Sequence, residues 1–172
     1  LGLRQAAGGR LDLDGIDARE LSPTSLRREV ALLREPDIFA GTIAENIQLG
    51  RSSVSRHDAR CALEALGVWD LVTALPEGLD THVVTRGVGM PSGFVTLLLV
   101  ARAIAARPRV LVFDGVLDPL APAARETVLR AVEQMQPACS IVVATCDPSL
   151  LAWCGQGYVL EDGTARPARA RD

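Results

Sequence analysis

The chain has 172 residues, 48% hydrophobic and 3% aromatic, with a formal net charge of −3. That size suits one domain whose core is built of Leu, Val, Ile and Ala, and the lack of a basic excess excludes the footprint of a nucleic-acid-binding surface. All 18 basic residues are arginine, and no apolar run approaches the roughly 18 residues that would read as a membrane span. Cys61, Cys139, Cys146 and Cys154 lack metal-ligand spacing and read as reduced, mostly buried thiols. His57 reads as a solvated helix residue and His82 as a loop residue without a partner. The opening Leu1-Gly2-Leu3-Arg4 has no leader layout and reads as cut from inside a longer chain.

In chain order, Leu11-Asp12-Leu13-Asp14-Gly15 alternates apolar and polar and then turns, which predicts a half-buried strand opening a hairpin. Ser22-Pro23 starts a turn or short helix, and Val30-Ala31-Leu32-Leu33 is a second strand. Glu35-Pro36-Asp37 breaks the chain. Thr42-Ile43-Ala44-Glu45 has capping-box spacing, so a short helix begins near Ile43. From Ser55 to Leu66, the residues Ala59, Ala62, Leu63 and Leu66 share one face of an amphipathic helix that Gly67 stops. Val68 to Leu75 predicts another helix, ended by Pro76, and 76–91 a loop punctuated by Gly and Pro. Gly87-Val88-Gly89 with Gly93 lacks the spacing and the preceding strand of a dinucleotide-binding turn. Gly93 to Ala105 predicts a helix apolar on nearly every side, which has to be buried.

Val110-Leu111-Val112-Phe113 reads as a strand buried on both faces, as in a parallel sheet. Asp114 stands at its carboxyl end, the edge where open α/β sheets bind ligands. An apolar strand followed by Asp is the pattern that holds Mg²⁺ beside a nucleoside triphosphate, and also that of a plain cap or turn. A helix near Ala121–Gln136, a strand at Ser140–Ala144, a short helix at Pro148–Trp153 and a strand at Tyr158–Glu161 follow. This βαβαβ run implies a parallel sheet with right-handed crossovers. It brings Thr145-Cys146-Asp147 to the same edge as Asp114. Ala165 to Asp172 reads as a solvated tail.

The order of these segments resembles the nucleotide-binding domain of ABC transporters of the exporter type. Leu13-Asp14-Gly15-Ile16-Asp17, with Leu21 and Ser25-Leu26-Arg27, resembles the family's hairpin before the Q-loop. Phe39-Ala40-Gly41-Thr42-Ile43-Ala44-Glu45-Asn46-Ile47 resembles the exporter pattern LFxGTIxENI. Ala101-Arg102-Ala103-Ile104, Pro108 and Val110–Asp114 resemble the stretch that ends in Walker B. Val142-Val143-Ala144-Thr145 and Leu160-Glu161-Asp162-Gly163 resemble the strands around the H-loop. The match runs over nearly the whole chain. It implies an α/β fold of the P-loop NTPase kind, a parallel sheet with flanking helices, an antiparallel β part at the N-terminus and a helical subdomain insert. The implied parts are 1–52 (β part and Q-loop region), 53–105 (helical subdomain and signature region), 106–164 (Walker B to H-loop core) and 165–172 (tail). It further implies ATP and Mg²⁺ as ligands, the transmembrane domain of an exporter and a second nucleotide-binding domain as partners, no nucleic acid, and a peripheral place at the cytoplasmic face of the cell membrane.

The departures from that pattern are as informative. The family's P-loop, G-x-x-x-x-G-K-[ST], is absent, and a chain without lysine holds it nowhere. It is expected before Leu1. So is the strand that feeds it, which the resemblance places beside Val110–Phe113, leaving that strand short of a ladder neighbour. The Q-loop glutamine position holds Arg34, or Glu35 if the loop is shorter. The signature LSGGQ reads Met90-Pro91-Ser92-Gly93-Phe94, the D-loop reads Asp118-Pro119-Leu120-Ala121, and the X-loop glutamate position is Thr85, beside Arg86. The catalytic glutamate is Gly115 and the H-loop histidine is Cys146. Gly115 cannot orient or deprotonate water, a loss of about 10²–10⁴ in rate, and Cys146 cannot act as an imidazole. Arg34 is a fixed cation where a neutral amide is expected, set to repel a metal or to pair with a phosphate. The resemblance leaves Asp114, Arg34, Ser92 and Gly93 as nucleotide contacts, Asp114 as the metal ligand, and Asp37, Phe39, Thr85 and Arg86 as the surface for the transmembrane domain. Two readings follow. One is a degenerate ATP-binding half of an exporter that hydrolyses poorly or not at all. The other is a pseudo-cassette, a structural or regulatory module or non-functional fragment without nucleotide.

Overall fold

The structure, a computed structural model, describes residues 8–34, 37–135 and 138–168. In chain order its elements are β1 (Asp12–Leu13), β2 (Ile16–Asp17), α1 (Pro23–Glu29), β3 (Val30–Leu33), β4 (Gly41–Thr42), α2 (Ile43–Gln48), α3 (Arg56–Ala65), α4 (Trp69–Thr73), β5 (His82–Val83), α5 (Ser92–Ala105), β6 (Val110–Asp114), α6 (Pro122–Glu133), β7 (Ser140–Ala144), β8 (Tyr158–Glu161) and β9 (Thr164–Pro167). Single 3-10 turns at Gly78–Asp80, Thr85–Gly87 and Pro148–Ala152 lie between them.

Local chemistry accounts for most boundaries. Thr42 and Glu45 close a reciprocal capping box on α2, and Ser55 with Asp58 closes another on α3. Ser22 caps α1, whose first residue is Pro23. No helix among the described residues is long and apolar enough to cross a membrane.

The sheet is parallel, in the order β3-β6-β7. Val110 pairs with Val30 and Ser140, and Phe113 with Leu33 and Val143. β6 therefore has a neighbour on both sides, and the expectation that it lacks one is wrong: β3, arriving from far upstream in the sequence, fills the place. β8 corrects a second expectation. It does not extend the parallel sheet but pairs antiparallel with β9 in a separate hairpin. The tail expected from Ala165 thus begins with paired strand through Pro167, while 169–172 lie outside the described residues.

One face of the sheet carries Leu33, Leu111 and Phe113 into a core shared with α5 and α6, where Val95, Leu98, Val100, Val128 and Val132 are buried. α5 is apolar nearly all round and is buried accordingly, packed against α2 and α3. The opposite face is open. Leu32, Val112 and Val142 stand in register across it, and Leu32 and Val142 are 41% and 50% exposed. Burial on both faces, expected from the apolar run, holds for one face only. The thiols differ as well: Cys139 is buried, whereas Cys61 and Cys146 are exposed. Burial raises the pKa of Cys139 and Cys154. His57 is exposed on α3, as expected, with its Nε2 3.5 Å from Cys61 Sγ one helical turn away.

Candidate functional site

Two clusters gather the residues singled out from the sequence. The first is the carboxyl edge of the sheet. β3 and β6 run parallel with Leu33 opposite Phe113, so the next residues, Arg34 and Asp114, come side by side. Arg34 Nε lies 3.6 Å from Asp114 Oδ2, with both side chains largely exposed. Glu35, the alternative for the Arg34 position, lies outside the described residues. After Asp114 the chain turns at Gly115, whose φ of +69° is the left-handed conformation that suits glycine. The Gly115 amide donates to the Ala144 carbonyl at 2.9 Å, which ties the turn to the end of β7.

That turn positions Asp118, which the resemblance places at the start of the D-loop without naming a contact for it. Its carboxylate accepts from the Thr145 hydroxyl and, at 3.1 Å, from the Cys146 amide. Cys146 is held by its backbone, and its exposed thiol is not part of the contact. Asp147 caps the following turn through the Ser149 amide at 2.9 Å and forms an ion pair with Arg125 of α6. Its pKa is held down to about 2, first by its hydrogen bonds with Ser149 and then by the Arg125 guanidinium. Arg125 also reaches the carbonyl of Asp118 at 3.2 Å. The edge is thus closed by pairs internal to the chain. Ser92 and Gly93 sit apart from it, at the start of α5, where Pro91 supplies no side-chain cap. No hydrogen bond or ion pair among the described residues joins them to Arg34 or Asp114.

The second cluster is the stretch around Phe39. Asn46 is buried and works as a clip. Its Oδ1 accepts from the Phe39 amide at 3.1 Å, and its Nδ2 donates to the carbonyls of Phe39 and Thr42 at 3.0 Å each. Arg102 of α5 clamps the same loop, donating to the carbonyls of Asn46 and Asp37 at 2.7 and 2.8 Å. Burial is the main cause of a lowered Arg102 pKa, opposed by the nearby Asp37 charge. Its guanidinium carbon stands 6.0 Å from the Phe39 ring centre, and Phe39 remains 38% exposed. Opposite, β5 pairs with β4, and the Arg86 amide donates to the Ile38 carbonyl at 2.7 Å. Asp37, Phe39, Thr85 and Arg86 are therefore brought together on one surface, with Val84 and Val88 exposed beside them. Gly87 has φ +66° and no room for a side chain, since a Cβ there would meet Val95 Cγ2 at 2.4 Å. Gly87 thus serves packing, whereas Gly89 has open space where a Cβ would stand.

No protein-family model matches the chain. It is 32% identical, over 95% of its length, to the ABC-type transporter atr1 of Mycosarcoma maydis, of which it covers 13%. It is 38% identical, over 63% of its length, to the uncharacterized ABC transporter ATP-binding protein YknV of Bacillus subtilis (strain 168), of which it covers 18%. Among solved structures it is similar to a bacterial Atm1-family ABC exporter with ATP bound, at a TM-score of 0.85 and 26% identity, over 93% of this chain and 28% of that one. The chain spans less than a fifth of the length of these two curated relatives.

Proposed function

The chain belongs to the ABC transporter family, matching its ATP-binding region, and on that premise we propose that it is a degenerate nucleotide-binding unit of an exporter, docked on a transmembrane domain and impaired in ATP hydrolysis. The observation that carries this reading is the state of the sheet edge. The residue after Asp114 is a glycine in a left-handed turn, the carboxylates of Asp118 and Asp147 are bonded within the chain, and Arg34 faces Asp114. No side chain follows Asp114 that could orient or deprotonate an attacking water, and a cysteine replaces the imidazole expected at Cys146.

Docking is supported by the second cluster. The clip made by Asn46 and Arg102 fixes the loop that offers Phe39 to solvent, and the Arg86 amide ties to that loop the segment after β5, where Val84, Arg86 and Val88 are exposed. Such an apolar patch with a basic member suits the end of a transmembrane helical segment, with a second nucleotide-binding domain as the further partner. ATP is the ligand this reading assigns to the edge.

A steady-state ATPase measurement on the chain, purified free of contaminating ATPases, tests the reading. The expected rate is indistinguishable from background. Turnover near 1 s⁻¹, about the low end for typical enzymes, would overturn it. The Arg34–Asp114 pair favours a second reading, a docking module that binds no nucleotide. Saturable binding of a fluorescent ATP analogue separates the two.

A further inference from the structure

The register of the parallel sheet sets the neighbours at the edge. With Leu33 opposite Phe113, the residues that follow are Arg34 and Asp114, and their side chains meet with Arg34 Nε 3.6 Å from Asp114 Oδ2. The cation is therefore delivered by the backbone of two hydrogen-bonded strands. Guanidinium keeps its charge at every pH a protein survives.

A hard divalent ion such as Mg²⁺ asks for several oxygen ligands in a near-octahedral array. The described residues at this edge do not offer one. Gly115 brings no side-chain oxygen, and Asp118 is committed to the Thr145 hydroxyl and the Cys146 amide. Among the described residues no group of three or more His, Cys, Asp or Glu side chains is gathered to hold a metal. We propose that Arg34 takes the place of the divalent cation at Asp114, so that the edge carries a tethered unit charge and does not recruit Mg²⁺. The inference rests on reading this edge as nucleotide-facing, but its test needs no nucleotide. In water, a unit charge about 5 Å from a divalent ion changes the ion's affinity by roughly tenfold.

Mn²⁺ serves as a paramagnetic probe for Mg²⁺ in an amide NMR titration of the full chain. The amides of Gly115 and Ala144 report on the edge. In the wild type, their broadening follows the same weak titration as in Asp114→Asn. Arg34→Gln broadens them at about a tenfold lower Mn²⁺ concentration, and the double variant Arg34→Gln/Asp114→Asn loses that gain. Arg34→Lys keeps the charge and behaves as the wild type. Both side chains are exposed, so these variants keep the fold, and unchanged spectra without Mn²⁺ check this. A wild-type titration equal to that of Arg34→Gln, no gain in Arg34→Gln, or a gain in Arg34→Lys would each overturn the proposal. Measurable ATP turnover would sink the reading of impaired hydrolysis without bearing on this result. Mn²⁺ bound at wild-type Asp114 would do the reverse.

Discussion

The loop around Phe39 and the carboxyl edge of the sheet both consist of residues that the family pattern singles out, yet they are built differently. Around Phe39, the residues that match the pattern carry the fold. Thr42 and Glu45 cap α2, Asn46 holds the Phe39 loop, and Arg102 ties α5 to that loop. At the edge, the positions that depart from the pattern are ones whose side chains would face a ligand, and the charges there are turned on one another. Arg34 faces Asp114, Asp118 holds the end of β7, and Arg125 holds Asp147. The lesson is energetic. A buried amide that satisfies three backbone groups cannot be exchanged without leaving them unpaired, whereas an exposed side chain that served only a ligand costs the fold little to replace.

The sharpest way to break this comparison is at the two glycines on either side of the start of α5. Gly87→Ala forces a left-handed residue, about 1–2 kcal/mol, and drives a methyl into Val95, about 1–3 kcal/mol. The expected loss is therefore about 2–5 kcal/mol in urea unfolding. Gly93 has open space around its Cβ position and lies inside the helix. Gly93→Ala is expected to be neutral or to stabilise by up to about 1 kcal/mol. Equal losses at the two positions would contradict the packing described here.

Next in size is Asn46→Ala. It strands the Phe39 amide and two carbonyls beside a buried clamp, and a loss of about 2–3 kcal/mol is expected. Asp114→Asn, which disturbs only an exposed pair, is expected to shift stability by less than about 1 kcal/mol. An Asp114 effect as large as that of Asn46 would show that the edge is part of the structural frame.

Gly115→Glu follows. It restores the carboxylate that the family pattern expects but places it at φ +69°, at a cost of about 1–2 kcal/mol. The variant is expected to unfold at lower urea and to remain without ATPase activity, since Cys146 and Arg34 are unchanged. Turnover in this variant would show that the single glycine is what silences the edge.

Much of the fold was legible because it is local. The capping boxes of α2 and α3, the apolar stripe of the latter and the fully apolar surface of α5 are written within single segments. What was not legible depends on distant partners. β4 and β5 have two residues each and carry no period. The order β3-β6-β7 depends on which strands meet, and an apolar run such as Val110–Phe113 reads the same whether one face is covered or both. The β8–β9 hairpin was missed because Thr164–Pro167 is polar outside and exposed along its length. The same holds for the site. The identities of Arg34, Gly115 and Cys146 could be read from their positions. That Arg34 meets Asp114 follows only from the sheet register, and the Arg125 partner of Asp147 and the Thr145 and Cys146 partners of the Asp118 carboxylate lie 22 to 28 residues away in the chain.

The smallest expected effect is a change in acid stability that isolates the edge. Asp147 has its pKa lowered from 3.8 to about 2 by Ser149 and Arg125. A group whose folded pKa is depressed binds fewer protons folded than unfolded in that interval, so stability falls as the pH falls. Its contribution is fully present above pH about 4 and is lost between there and about 2. Asp147→Asn removes the titration and keeps a cap acceptor for the Ser149 amide. The variant is expected to be slightly less stable than the wild type at neutral pH, with the difference shrinking below pH 4. Arg125→Met, which removes the ion pair and the contacts to the Asp118 and Leu120 carbonyls but leaves the Ser149 cap, is expected to change the acid limb less than Asp147→Asn does, since Ser149 is the larger cause of the shift. Parallel stability curves for the wild type and Asp147→Asn from pH 7 to 2 would show that Asp147 is not held as described. If Arg125→Met instead matched the full effect, the ion pair rather than the Ser149 cap would hold the turn that follows β7.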